Sequence, residues 1–419
     1  MKYLEWIDGG VTAPAGFKAS GVHAGVKSSS PPDKLDLALI ASNVPSVAAA
    51  VFTRNAVKAA PVRLSMERAA NRELQAVVLN SGNANCCAPN DMENAIAMSD
   101  AVAQLLAIPS ERIAVCSTGV IGQEMNIGAI LDSAPKLVRS LGRESSHSDS
   151  AARAIMTTDT VKKEFAVEFE LGGKPVRIGG IAKGSGMIHP NMGTLLSVLT
   201  TDCAISAELL DKVLRNAVNE SFNRISVDGD TSTNDTCVIL ASGSAGNAEL
   251  TLDEDYGSDS WKFEDALCAV CAKLAIAMAG DGEGATHLIT CVVDNAANER
   301  KAESIAMSVI ASSLVKSMIF GCDANWGRVL CAMGYSGETF DTERVGVTFS
   351  SAAGEVEVCR GGRGLPFDEA LAKTVLSEHD VTIRVSLNEE LEPGECPMCM
   401  CWGCDLTYNY VKINGDYRT

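Results

Sequence analysis

Residues Lys183 to Asp202 read KGSGMIHPNMGTLLSVLTTD. Gly184, Gly186, Pro190 and Gly193 precede a single hydroxyl residue, Thr194, and from Leu195 the chain turns apolar with a strand's composition. Glycines permit positive φ and close approach of other backbone, so the approach to Thr194 can be tight or strained. Two readings fit. One is a glycine turn leading into a buried strand. The other is self-cleavage, in which the Thr194 hydroxyl attacks the Gly193 carbonyl and the amide shifts to an ester that water hydrolyses. The α-amine so freed has a reference pKa of about 7.7–8.0 and suits the role of base for its own hydroxyl.

Around this stretch the chain reads as a large globular protein. Its 419 residues, 46% hydrophobic, are enough for two or more domains or one large layered one. A net charge of −18 argues against nucleic acid or an anionic membrane as partner and suits a small cationic or zwitterionic substrate. The opening MKYLEWIDGG has two acids and no apolar core, and no apolar run reaches membrane-spanning length, so a cytoplasmic protein is expected. Its 15 cysteines are then expected to be reduced thiols filling apolar space.

LDLALIAS from Leu35, VAAAVFT from Val47 and LQAVVLN from Leu74 read as strands, as do the later VTIRVSLNE and CDLTYNYVKIN. Helical spacing marks Asn94 to Ile108, Ser206 onward, Phe263 to Gly280 and Arg300 to Ser313. NAELTLDEDYGSDS, Asn247 to Ser260, reads as a surface loop or hairpin. Strands and helices mix without a strict alternation. This predicts a layered, mixed α/β (α+β) protein rather than a doubly wound one.

Several polar motifs carry candidate chemistry. STGVIG, Ser117 to Gly122, follows a strand and offers either an oxyanion site or an ordinary βα turn. MTTDT, Met156 to Thr160, lines a polar pocket or caps a helix. FNRISVDGDTSTNDT, Phe222 to Thr236, has the composition of a cation loop but fits hydrogen-bonded turns better. GDGEGATHL sets Glu283 between glycines, where it faces either a ligand ammonium or solvent. ECPMCMCWGC holds Cys396, Cys399, Cys401 and Cys404 as two CxxC pairs one residue apart. Structural zinc sites separate such pairs by about a dozen residues or more, so no metal is expected.

Taken together, GGVTAPAGFKASGVHAGVK, NSGNAN, STGVIG, MTTDT, KGSGMIHPNMGT, NRISVDGDTSTNDT, EGATHL, LVKSMIFGCDANWGRVL and WGCDLTYNYVKINGDYRT resemble, in order and over nearly the whole chain, the glutamate N-acetyltransferase (ornithine acetyltransferase) family of arginine biosynthesis. The resemblance implies self-cleavage between Gly193 and Thr194 into an α chain, 1–193, and a β chain, 194–419. Gly193 stands where the family commonly has Ala. The implied fold is a layered sandwich to which both processed chains contribute strands, with a smaller C-terminal portion. Thr194 would be the nucleophile that takes acetyl from N-acetylornithine as an ester and gives it to glutamate, with Thr118 and Gly119 as the oxyanion hole. Thr157, Thr158, Lys183, Thr194, Glu283, Asn414 and Thr419 would bind substrate. The resemblance implies an α2β2 heterotetramer and no cofactor, acetyl-CoA being a second acetyl donor for some members. A rival within the enzyme class is an N-terminal-nucleophile amidohydrolase or aminopeptidase, in which water rather than an amine reaches the acyl ester.

Overall fold

The computed structural model describes residues 3–27, 29, 31–189, 195–252 and 257–415. The chain divides into two units: Met1–Gly184 with Pro190–Asn223 and Thr231–Leu274, and Ser185–His189 with Arg224–Asp230 and Ala275–Thr419.

In the first unit one sheet runs in the order Glu5–Ile7, Lys163–Leu171, Lys174–Lys183, Leu196–Thr201, Thr236–Ala241, Leu37–Phe52, Glu73–Asn80, Ile113–Ser117, with Phe17–Val22 also paired to Leu37–Phe52. Alternate residues of a strand face opposite sides. Leu37 and Leu39 fall in one buried cluster with Ala60, Met98 and Ile130, whereas Ala38 and Ile40 fall in another with Ala151 and Ile155. Both faces of the sheet are therefore covered. The helices Ala60–Ala69, Asp91–Leu106 and Ile127–Arg139 pack on one face and Ser145–Ala154 on the other. That explains why these strands read as continuous apolar runs rather than as alternating ones.

Strands from both sides of position 194 share this sheet. Leu196–Thr201 runs antiparallel to Lys174–Lys183, with Lys183 opposite Leu196 and Ile178 opposite Thr201. It runs parallel to Thr236–Ala241 on its other side. The mixed α/β layering expected from the sequence is present.

In the second unit seven strands follow the order Arg363–Gly364, Gly354–Arg360, Gly346–Ser351, Asp380–Ser386, Leu288–Asp294, Cys399–Cys404, Ile225–Ser226. Their inner face, with Ile289, Val347 and Ile383, packs on Ile305, Val309 and Ile319 of the helices Glu299–Ala311 and Ser313–Phe320. Among the described residues no single helix is long and apolar enough to cross a membrane.

Three expectations change. The runs from Leu35 and Val47 are halves of one strand, Leu37–Phe52, broken in register between Ala41 and Ser46 where Pro45 has no N–H to give the ladder. CDLTYNYVKIN is not a strand. The strand ends at Cys404 and Tyr408–Asn414 is helical, because the Thr407 hydroxyl accepts the Asn409 and Tyr410 N–H groups at 3.1 and 3.3 Å. Much of Asn247 to Ser260 lacks regular structure, but a helix, Ser258–Gly280, begins inside it, ahead of the expected Phe263; residues 253–256 lie outside the described set.

The cysteines are free thiols. Cys399 and Cys401 point into the second unit's core, with Cys401 opposite Cys291 on the neighbouring strand. Cys404 is three positions further along and faces the other way, while Cys396 is exposed. These four thiols do not converge, and among the described residues no group of three or more His, Cys, Asp or Glu side chains could hold a metal. Burial pushes the Cys116, Cys203 and Cys237 thiols up to about 12, so they stay protonated and pack as small apolar groups.

Candidate active site

The strand Ile113–Ser117 ends where STGVIG begins, and NSGNAN, residues 80–85, lies directly against it. Ser117 Oγ donates to Asn80 Oδ1 at 2.6 Å, and the Thr118 N–H donates to the Asn80 carbonyl at 3.0 Å. Asn80 Nδ2 reaches the Asn83 carbonyl at 2.9 Å, and the Ala84 N–H the Val120 carbonyl at 3.0 Å. Between them Gly119 sits at φ +132°, where an added Cβ would lie 2.3 Å from the Gly82 carbonyl carbon and 2.5 Å from the Asn83 nitrogen. Only glycine fits. Thr118 and Gly119 remain half-exposed, so this fixed turn presents a hydroxyl and backbone at an accessible surface.

MTTDT is organised around Asp159. Its carboxylate accepts the Lys163 ammonium at 2.7 Å, the Gly184 N–H at 2.8 Å and the Thr157 N–H at 3.1 Å. Burial raises the Asp159 carboxyl, but the Lys183 and Lys163 charges and these hydrogen bonds outweigh it and hold it down at about 2. Thr157 is thus tied to the end of the strand that carries Lys183. Thr158, next to it, is half-buried. Lys183 is 7% exposed and acts electrostatically on two carboxyls, Asp159 and Asp235.

Asn234 and Asp235, adjacent in sequence, connect these parts. Asn234 Nδ2 donates to the Ala84 carbonyl at 2.6 Å and to the Ser117 carbonyl at 2.9 Å, pinning both loops of the oxyanion candidate. The Asp235 carboxyl is buried, 3% exposed, close to Ser232, Thr53 and Leu195, and burial pushes it well above the ordinary carboxylate range. Thr236 N–H closes the same junction by donating to the Leu195 carbonyl at 2.9 Å. Asn234 thus holds the carbonyl that precedes Thr118 and Gly119, while Thr157 is tied through Asp159 to the strand end that carries Lys183.

In the second unit Glu283 is only 6% exposed, so it is not a solvated loop acid. Its N–H donates to the Ser185 carbonyl at 2.9 Å, and Asn414 Nδ2 donates to its Oε2 at 2.6 Å. Gly186 leaves it room, since a Cβ there would lie 2.3 Å from the Glu283 carboxyl carbon. Asp228 accepts the Met187 and Ile188 N–H groups at 2.6 and 2.9 Å and the Tyr410 hydroxyl at 3.3 Å. The VDGDTSTNDT stretch is thus spent on backbone anchoring, as its turn composition suggested. Gly193, Thr194 and Thr419 lie outside the described residues.

Sequence reasoning quoted the motifs that contain Asp159, Asp228, Asn234 and Asp235 but did not single these residues out. The available signal was an Asn-Asp pair abutting the apolar strand run CVILA, where a carboxyl has little chance of facing water.

A helix-covered mixed sheet, with a turn that only glycine fits and buried Lys–Asp groups at its strand ends, makes this a mixed α/β protein with a polar candidate site at its strand ends. More narrowly, the chain belongs to the ArgJ family, whose model matches residues 18–419. The arginine biosynthesis bifunctional protein ArgJ of Caldanaerobacter subterraneus subsp. tengcongensis is 48% identical over 417 residues, covering 99% of this chain and 100% of the relative. Among solved structures, the ArgJ protein of Bacillus halodurans is 41% identical with a TM-score of 0.47, covering 52% of this chain and 96% of its own. The ornithine acetyltransferase of Mycobacterium tuberculosis, complexed with ornithine, is 40% identical with a TM-score of 0.41, covering 46% of this chain and 100% of its own.

Proposed function

We propose that the chain moves the acetyl group of N-acetylornithine to glutamate through an acetyl ester on Thr194, giving ornithine and N-acetylglutamate in arginine biosynthesis. The active form arises by cleavage between Gly193 and Thr194 and assembles in the cytoplasm as an α2β2 heterotetramer of chains 1–193 and 194–419. What supports the reading is the Asn234 side chain, which holds the Ala84 and Ser117 carbonyls of the loops that carry Thr118 and Gly119, together with the Thr236 N–H, which holds the Leu195 carbonyl at the start of the strand that follows position 194.

In the first half-reaction the Thr194 hydroxyl adds to the acetyl carbonyl and passes its proton to the Thr194 amine. The carbon–nitrogen bond then breaks, and ornithine leaves with that proton on its nitrogen. Thr118 and Gly119 donate to the oxyanion that forms in between; one such donor is worth about 10²–10³ in rate. In the second half-reaction the glutamate amine attacks the ester and the Thr194 oxygen is regenerated. No diffusible cofactor is required, because the enzyme itself carries the acyl group.

Lys183 and Lys163 both act on the Asp159 carboxylate, while burial pushes the Asp235 carboxyl well above the ordinary range. Two ammonium groups against one carboxylate held low suit a substrate carboxylate. Glu283, oriented by Asn414, suits a substrate ammonium. Thr157, Thr158 and Thr419 complete the substrate contacts.

The test is an assay of purified protein with N-acetylornithine plus glutamate beside acetyl-CoA plus glutamate, together with N-terminal analysis. Expected are acetyl transfer from N-acetylornithine and a fragment starting at Thr194, whereas Thr194→Ala stays one chain of 43.9 kDa. Free acetate released at a rate indifferent to glutamate would make it a hydrolase, and an active protein of uncut length would overturn the processing.

A further inference from the structure

The Thr407 hydroxyl does more than cap the helix Tyr408–Asn414. While it accepts the Asn409 and Tyr410 N–H groups, it donates to the Gly284 carbonyl at 2.7 Å. A hydroxyl has one hydrogen to give and two lone pairs to accept with, so its whole capacity is used. Thr407 is 5% exposed, and its donation lands on the residue after Glu283. The helix lies against the same loop. A Cβ on Gly284, which sits at φ +70°, would be 2.7 Å from the Asn409 Cβ and 2.8 Å from the Tyr410 nitrogen. At the far end of the helix, Asn414 Nδ2 donates to Glu283 Oε2 at 2.6 Å and to the Tyr410 carbonyl at 3.1 Å. One hydroxyl therefore holds the Glu283 loop directly and also starts the helix whose last residue holds the Glu283 carboxylate.

Little else forms this helix. It has seven residues, none of them buried, and only Lys412 is a strong helix former. A helix shorter than about 12 residues is marginal without tertiary support. Tyr410 adds one further tie, its hydroxyl donating to Asp228 at 3.3 Å. We propose that Thr407 is a positioning residue for Glu283, setting through the Gly284 carbonyl and through Asn414 where that carboxylate meets a substrate ammonium. This rests on the reading of Glu283 as the residue that binds the ammonium.

Thr407→Ser keeps the hydroxyl, and Thr407→Val removes it at the same shape. N-acetylornithine carries its free ammonium on the side chain, so its KM at saturating glutamate is the readout. The Val variant is expected to raise that KM about tenfold, the scale of one lost cap together with one lost hydrogen bond, with kcat changed less than threefold. The Ser variant should stay within about twofold of wild type. Adding Thr407→Val to Glu283→Gln should raise KM no more than about twofold further, because the effect passes through the missing carboxylate. A merely structural residue would lower the thermal midpoint and the number of active sites, and leave the KM of the folded enzyme unchanged.

An unchanged KM in the Val variant overturns the proposal. So does a Ser variant as impaired as Val, or a full tenfold rise in the Glu283→Gln background. Should the Val variant not fold, Thr407→Cys puts a weak donor and weak acceptor in the same place. It is expected to raise KM several-fold, and a wild-type KM there overturns the proposal. Glu283→Gln alone keeps the two failures apart. A wild-type KM in that variant defeats the ammonium-binding reading, whereas a raised KM there beside an unaffected Thr407→Val defeats only the role of Thr407.

Discussion

Two glycines of one motif, Gly119 and Gly122, supply a matched pair for testing the oxyanion turn. Both have positive φ, +132° and +77°, so alanine is strained at either. They differ in crowding. A Cβ on Gly122 meets nothing within 4 Å, whereas one on Gly119 meets the Gly82 carbonyl carbon at 2.3 Å and the Asn83 nitrogen at 2.5 Å. Those are backbone atoms inside a hydrogen-bonded loop and cannot swing aside as a side chain would. Restoring ordinary contact requires the two loops to part by about 1 Å, a displacement worth about 10²-fold in rate at a site that depends on aim. Backbone strain alone costs about 1–3 kcal/mol at either position. Gly119→Ala is therefore expected to slow single-turnover acetylation at least a hundredfold. Gly122→Ala should show a comparable loss of thermal stability but acetylate within about threefold of wild type. Stopped-flow acetylation and circular-dichroism melts on the two proteins make the comparison. Equal acetylation rates in the two would refute the assignment of the turn.

Four further outcomes follow. The Asp159 carboxyl is held at about 2 against an ordinary 3.8, a difference on the order of a few kcal/mol of folding stability. Because the folded value is the lower one, that stability is complete above about pH 4 and lost as pH falls toward 2, and urea midpoints should show the fall in wild type but not in Asp159→Asn. Asp235 has the opposite sign: its folded value is raised, so stability is lost as pH climbs above the carboxylate range, and Asp235→Asn should flatten that slope. Gly186→Ala places a methyl against the Glu283 carboxyl, which can rotate away; KM for glutamate is expected to rise about tenfold with kcat little changed, as steady-state kinetics will show. A C-terminal affinity tag, next to Thr419, should depress activity far more than an N-terminal one.

Where burial follows from apolar runs, the sequence was readable. The helix capped by Ser206 and the strand Leu196–Thr201 after position 194 come from hydrophobic patterning that the packed sheet then satisfies. Tyr408–Asn414 was misread because Tyr, Val and Ile favour strands, while its helix depends on one cap by Thr407, and Tyr408 and Val411 stay exposed. In the site, motif resemblance pointed to Thr118, Gly119, Thr157, Lys183, Glu283 and Asn414. The carboxyls that organise several of them were opaque, because Asp159 and Asp235 look like loop acids until the fold removes their water. The same holds for the thiols: two CxxC pairs suggest a ligand set on paper, but Cys399 and Cys401 share the core face, alternation turns Cys404 away from them, and Cys396 lies outside the strand.

The antiparallel ladder between Lys174–Lys183 and Leu196–Thr201 joins what a cut at 193–194 makes into separate molecules. Such a cut leaves every rung of that ladder in place, so the folded product keeps no trace of it. Denaturation reveals it. The intact precursor regains its sheet in a first-order search, whereas severed halves must first find each other, and refolding becomes second order and slower on dilution. Processing at that bond would therefore give the mature protein a one-way history: assembled once as a single polypeptide, it would hold its arrangement by the barrier to unfolding rather than by easy return.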